Sequence, residues 1–187
     1  MGYKKTGKTT LVENLVCALK NFGSVGTIKH LHEHTINNPS TDTWKHASSG
    51  ADVVIGVTQS ELVKFSRENN LTKALDELAD TGVNFGVIEG FKESKLPKIA
   101  LGNVEAINIL KRLDKPESAD IEAIINIIRE QPEYHTLNSL LATIRSSRDI
   151  DKSGAIGTFT GFVRAAEKEI RTEFLEFEEY RDVAKKR

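Results

Sequence analysis

The residues with the best-defined chemistry stand at the start of the chain. Gly2-Tyr3-Lys4-Lys5-Thr6-Gly7-Lys8-Thr9 fits the phosphate-binding pattern G-x-x-x-x-G-K-[ST]. Two glycines let the backbone fold round a phosphate chain with its N–H groups pointing inward, where side chains would block the approach. Lys8 can then reach the outer phosphates, and the Thr9 hydroxyl can join the shell of a magnesium ion. Gly2, Thr6, Gly7, Lys8, Thr9 and Thr10 form the expected nucleotide-binding set.

Two carboxylates are candidates for the same centre. Asp42 opens a predicted helix and is either an N-cap or a carboxylate that orders magnesium or the attacking water. Glu89 closes the apolar run Val83-Asn84-Phe85-Gly86-Val87-Ile88 and is followed by Gly90, the place where open α/β sheets hold ligands. Its structural alternative is a carboxylate that caps a turn. His30, His32 and His34 alternate along the chain and could share one side of a strand as a metal site. No cysteine and few carboxylates complete a ligand set there, so a polar loop at the mouth of a site is the preferred reading.

The elements that must position these groups follow from periodicity. Leu11, Val12, Leu15, Val16, Leu19 and Phe22 recur at helical spacing behind the phosphate loop, and Gly23 is the expected C′ residue. Such a helix aims its positive end at a bound anion. Cys17, inside this helix, is read as core filler. Val25–His30 and Leu62–Ser66 are expected strands, with Ala51–Val57 a buried one. Helices are expected at Leu71–Asp80, ended by Gly82, at Ile121–Arg129, and at Leu137–Ser146. Lys98–Leu101 and Ala106–Arg112 are further strands. Alternating strands and helices imply an α/β fold, a mostly parallel sheet with helices on both faces. Ala155–Arg164 is an extended run, Glu173–Phe177 its expected partner, and Glu178–Lys186 a helix.

Bulk composition narrows the partners. The 26 Lys and Arg balance 27 Asp and Glu, so no global basic field points to nucleic acid or an anionic membrane. The single cysteine excludes an intrachain disulfide and fits a reducing compartment, and no apolar run reaches membrane-spanning length. A cytoplasmic protein is expected.

The residues resemble two families joined end to end. Residues 1–131 resemble the MobB family of molybdopterin-guanine dinucleotide biosynthesis, P-loop nucleotide-binding proteins. The match rests on Gly2 to Thr9, Ile28-Lys29-His30-Leu31-His32-Glu33-His34, Asp42-Thr43-Trp44-Lys45 leading to Gly50-Ala51-Asp52, and Ile88-Glu89-Gly90-Phe91-Lys92. The resemblance implies GTP and Mg2+ as cofactors, weak GTPase activity, and a MobA-like guanylyltransferase partner that joins GMP to molybdopterin. It places Asp42 and Glu89 near Lys8 and Thr9, with Lys8, Asp42 and Glu89 the expected catalytic group and Thr9 and Asp42 the metal ligands. A homodimer is also expected. Residues 136–187 resemble the start of the molybdopterin synthase large subunit, MoaE, through Gly154–Arg164 and Leu175-Glu176-Phe177-Glu178-Glu179-Tyr180. There Arg164 falls on an active-site arginine, implying molybdopterin as a ligand and the synthase small subunit as a partner. The MobB family's first strand and the MoaE family's later lysines would lie outside the 187 residues, so both ends read as fragment ends or a misassigned start, and synthase activity from this chain alone is not expected. The Asn-Lys-x-Asp guanine motif is not visible, with Asp114 its one candidate remnant. The alternatives are a metallochaperone GTPase using the histidine loop and a non-hydrolysing, nucleotide-dependent adapter.

Overall fold

The computed structural model describes residues 1–3, 6–31, 36–161, 166–167 and 170–171. It divides into two units, Met1–Ser147 and Arg148–Arg187. In the first, helix α1 (Lys8–Leu19) buries Leu11, Leu15 and Leu19, one residue every fourth position on one face. Leu11 and Leu15 pack with Leu101 of β5 (Lys98–Leu101), Leu113 of β6 (Ile109–Leu113) and Ile124 of α4 (Ile121–Arg129) in one cluster. Burying each such side chain contributes about 1.5–3 kcal/mol. The result is a fixed seat for the helix whose first turn carries the phosphate loop.

Cys17 lies outside this core and is exposed. Two residues from both Leu15 and Leu19, it points about 200° round the helix from each, so the expectation of core filler is overturned by the helical period itself. Phe22 is also exposed, with the Arg129 guanidinium 5.2 Å from its ring centroid. The helix closes at Lys20 rather than at Gly23, whose N–H still bonds Leu19 O at 3.2 Å.

Strand β1 (Val25–Lys29) pairs in parallel with β4 (Phe85–Glu89), with Lys29 opposite Glu89 at their C-terminal ends. Strands β5 and β6 form a second parallel pair. Met1 runs beside β5: its amino group donates to Ile99 O at 2.8 Å, and Leu101 N donates to its carbonyl at 2.6 Å. Gly2 is thereby held against Leu101. The parallel strands thus form two pairs among the described residues instead of one continuous sheet.

Strands β2 (Val53–Val57) and β3 (Leu62–Ser66) form an antiparallel hairpin of their own. The expected buried strand is not buried: Val54 is covered, whereas Val53, Ile55 and Val57 are 48%, 56% and 75% exposed. A two-stranded ribbon has no second layer on that side, so an unbroken apolar run does not mean burial on both faces. Helix α2 (Asp42–Ser48) precedes this hairpin, and its N-cap is Thr41, whose hydroxyl accepts from Trp44 N. Helix α3 (Leu71–Asp80) is capped by Asn70, and Gly82 follows it at φ 74°.

Helix α5 (Leu137–Arg145) closes the first unit through a capping box between Thr136 and Ser139. It is tied to α3 by side chains. Thr136 Oγ1 donates to Asp80, Asn138 Nδ2 donates to Asp80 at 2.8 Å, and Tyr134 donates to Asp76 at 2.7 Å. The second unit holds a short 3-10 turn at Ile150–Lys152 and a two-residue bridge between β7 (Ala166–Glu167) and β8 (Ile170–Arg171). The described part of the expected extended run, Ala155 to Gly161, is not in a strand. Arg164, the partner strand Glu173–Phe177 and the terminal helix lie outside the described residues.

Candidate nucleotide-binding site

The phosphate loop takes its shape from close backbone packing. Gly7 precedes α1 at φ 79°, the left-handed region that glycine enters without strain. A Cβ there would stand 2.5 Å from Pro116 Cγ, so the position requires glycine on both counts. A Cβ on Gly2 would meet Thr6 Oγ1 at 2.6 Å. The two glycines therefore let the loop backbone pack directly against Thr6, Leu101 and Pro116, where a side chain would clash. Gly7 as N-cap offers no side chain to the first turn of α1, and no acidic residue lies in that turn, which suits an anion as the group that satisfies its N–H donors. Lys4 and Lys5 lie outside the described residues.

The side chains of the loop are already ordered. Thr6 Oγ1 donates to Tyr3 O at 2.9 Å. Lys8 Nζ donates to the same carbonyl, folded back across the loop. Thr10 lies on the exposed side of the first turn. Thr9 Oγ1 lies 3.4 Å from Glu89 Oε2, and the same oxygen is 3.4 Å from Lys29 Nζ. The Glu89 side chain is 13% exposed. Glu89 therefore stands at the centre of a Thr9–Glu89–Lys29 line that joins the phosphate loop to the ends of both parallel strands.

Behind Glu89 the backbone turns sharply. Gly90 has φ 108° and Phe91 φ 52°. A Cβ on Gly90 would stand 2.5 Å from His30 Cβ, and the Phe91 ring stacks on His30 with centroids 4.3 Å apart and planes 10° from parallel. His30 N donates to Glu89 O at 2.8 Å, extending the ladder of the two strands by one bond. Lys98, buried at the start of β5, donates to Ser94 O and to Leu96 O and so closes the loop that follows. Burial lowers the Lys98 ammonium pKa, a shift that Glu93 partly opposes.

The structure groups some sequence candidates and leaves others apart. Gly2, Thr6, Gly7, Lys8, Thr9 and Glu89 share the neighbourhood just described. Asp42 is 82% exposed at the start of α2 and pairs with Lys45 at 2.7 Å. Since Thr41 is the cap, Asp42 is not needed for that task. His32 and His34 lie outside the described residues. Among the described residues no group of three or more His, Cys, Asp and Glu side chains is arranged to hold a metal. Lys29 and Pro116 were not singled out as site residues from sequence. A lysine ending one strand and a glutamate ending another carried the only signal for the Lys29–Glu89 pair, and it required the strand register to read.

A glycine-shaped loop opening an α-helix beside parallel strands is the arrangement of the P-loop NTPase fold. The chain belongs to the MobB family: the family model Molybdopterin guanine dinucleotide synthesis protein B matches residues 1–128. It is 30% identical over 187 residues to a probable molybdopterin synthase of Haloferax volcanii, covering 98% of this chain and 68% of that one. It is 32% identical over 120 residues to the molybdopterin-guanine dinucleotide biosynthesis adapter protein of Haemophilus influenzae, covering 61% of this chain and 67% of that one. Among solved structures, Bacillus subtilis MobB superposes with a TM-score of 0.52 at 18% identity, covering 70% of this chain and 96% of that one. A MobB homologue from Bacillus stearothermophilus gives 0.50 at 22% identity, covering 70% and 95%. At these identities the structural likeness speaks to the fold. Among the described residues no helix is long and apolar enough to cross a membrane.

Proposed function

We propose that this chain binds GTP with magnesium at residues 2–10 and acts in the cytoplasm as an adapter in molybdopterin-guanine dinucleotide synthesis, assisting a MobA-like guanylyltransferase. Membership of the MobB family supplies the pathway. The observation that carries the site is Thr9 facing Glu89 beside a glycine-shaped helix N-terminus.

In this reading Lys8 exchanges its bond to the Tyr3 carbonyl for an outer phosphate oxygen, a charge-assisted contact stronger than the one it leaves. Thr9 donates its proton toward Glu89, which leaves its oxygen lone pairs for a cation. Bound magnesium would neutralise charge between the outer phosphates. Glu89 orients the Thr9 hydroxyl, and Lys29 holds the Glu89 carboxylate in place. Asp42, exposed at the start of α2, is offered to the magnesium ion or the attacking water. Hydrolysis is expected to be weak. Binding without turnover is the second reading, favoured by the adapter name of the Haemophilus relative.

The exposed apolar strand β2 supports a homodimer, since a second copy of the hairpin would cover Val53, Ile55 and Val57. The alignment of the Haloferax synthase over nearly the whole chain supports residues 136–187 as a MoaE-like segment, with Arg164 offered to the molybdopterin phosphate and the synthase small subunit as a further partner. Domain boundaries at 131 and 136 belong to this same reading. The test is an in-vitro guanylyltransferase reaction with molybdopterin, GTP and a MobA-like enzyme. Added chain should raise the rate of dinucleotide formation, and Lys8→Ala should remove the gain; no gain from the unaltered chain would contradict the proposal.

A further inference from the structure

A tight turn packs against the phosphate loop from the end of β6. Leu113, the last residue of β6, belongs to the core that seats α1, and Ala119, just past the turn, packs against that core. Between them the Lys115 carbonyl accepts from Ser118 N at 3.3 Å and from Ser118 Oγ at 2.8 Å, and Ala119 N donates to Pro116 O at 3.2 Å. Pro116 is the residue that a Cβ on Gly7 would strike, so the turn touches the loop there. The fixed φ of proline makes that contact a rigid spacer.

Asp114 and Glu117 flank Lys115 and Pro116. Both are exposed, and neither carboxylate has an ion-pair or hydrogen-bond partner among the described residues. Glu89, by contrast, is engaged by Thr9 and Lys29. A free carboxylate beside a phosphate site repels the phosphates themselves, so it suits another part of the ligand. Guanine presents two parallel donors on one edge, N1–H and the exocyclic amine, and a single carboxylate accepts both. The same edge of adenine carries a ring-nitrogen lone pair, which a carboxylate repels. Glu117 adjoins Pro116 at the corner of the turn, whereas Asp114 stands two residues before it at the strand end. Glutamate also has one methylene more of reach.

We propose that Glu117 reads the base of the nucleotide whose phosphates lie on residues 2–10, accepting both donors of guanine and rejecting adenine. This rests on the reading of that loop as a triphosphate site. Pro116 sets the spacing between the phosphate end and the base end. Glu117 determines specificity and takes no part in the metal shell or in hydrolysis.

Calorimetric titration of the chain and its variants with the triphosphates of guanosine, inosine, xanthosine and adenosine in magnesium tests this. The unaltered chain should bind the guanosine form about tenfold more tightly than the inosine form, which lacks the exocyclic amine. The amide of Glu117→Gln accepts from N1–H and donates to the C2 carbonyl of xanthine, so this variant should prefer the xanthosine form to the guanosine form. Lost structure would not produce that reversal. Glu117→Ala should bind the guanosine, inosine and adenosine forms alike, through their phosphates. Equal binding of the guanosine and adenosine forms by the unaltered chain would overturn the assignment and leave the phosphate loop standing. So would an unchanged guanosine preference in Glu117→Gln, or a preference lost in Asp114→Asn but kept in Glu117→Gln. Absence of binding by every triphosphate would overturn both this assignment and the loop reading.

Discussion

Thr9 and Glu89 stand 80 residues apart in sequence, yet the Thr9 hydroxyl oxygen lies 3.4 Å from a Glu89 carboxylate oxygen. The helix that follows the phosphate loop and the strand that ends in Glu89 converge there. On this account the hydroxyl is held for a cation. Glu89→Gln should therefore weaken triphosphate binding by about 1–3 kcal/mol in magnesium and much less in EDTA. Equal losses with and without the metal would show that Glu89 acts on the loop backbone instead.

Gly90 and Gly50 separate a steric clash from backbone strain. Both have φ beyond 100°, at 108° and 112°, but a Cβ would strike His30 only from Gly90, and Gly50 has open space. Ala at either site should cost about 1–3 kcal/mol of strain. Gly90→Ala should cost measurably more, because the Cβ also pushes apart His30 and Phe91. Thermal unfolding of the two variants checks this, with similar midpoints counting against a built turn behind Glu89.

The tie between α3 and α5 should depend on pH. Hydrogen bonds from Thr136 and then Asn138 hold the Asp80 carboxyl below its ordinary range. A group lowered in the folded state contributes stability above its unfolded value, and that contribution is lost as pH falls through the folded value. Protection of the α5 amides should accordingly drop as pH falls below about 3.9, and Asp80→Asn should flatten that dependence. A profile identical in Asp80→Asn would assign the loss to other carboxylates.

The apolar strand β2 gives a prediction about assembly. Ile55 is 56% exposed, so Ile55→Glu should cost the isolated subunit less than about 0.5 kcal/mol. If a second copy covers the hairpin, the same change should shift the protein toward monomer in light scattering. A dimer untouched by it would place the contact elsewhere.

The sequence made local elements readable and non-local pairings unreadable. Helices α3 and α4 have the expected bounds, Leu71–Asp80 and Ile121–Arg129, since each joins a helical apolar repeat to a capping Asn70 or Asp120. The run Val53 to Val57 misled because its composition does not say whether a second layer lies above it. Cys17 misled because a small residue in an apolar helix need not share the buried face. The phosphate loop was legible as a pattern, its glycines being demanded by close approach at Gly2 and Gly7. Lys29 beside Glu89 was not, because it arises only when β1 and β4 align in parallel with those two residues opposite. The stacked His30 and Phe91 depend likewise on the positive φ of Phe91, which no composition rule foresees.

The central claim is that residues 2–10 hold a triphosphate through Lys8, and calorimetric titration of the chain and of Lys8→Ala with GTP and with ATP in magnesium tests it directly. The account predicts saturable binding that favours GTP and a loss of about 1.5–3 kcal/mol in Lys8→Ala, more than tenfold in affinity. No binding by the unaltered chain, or equal affinity in Lys8→Ala, would contradict the nucleotide site, and a preference for ATP would contradict the guanine assignment.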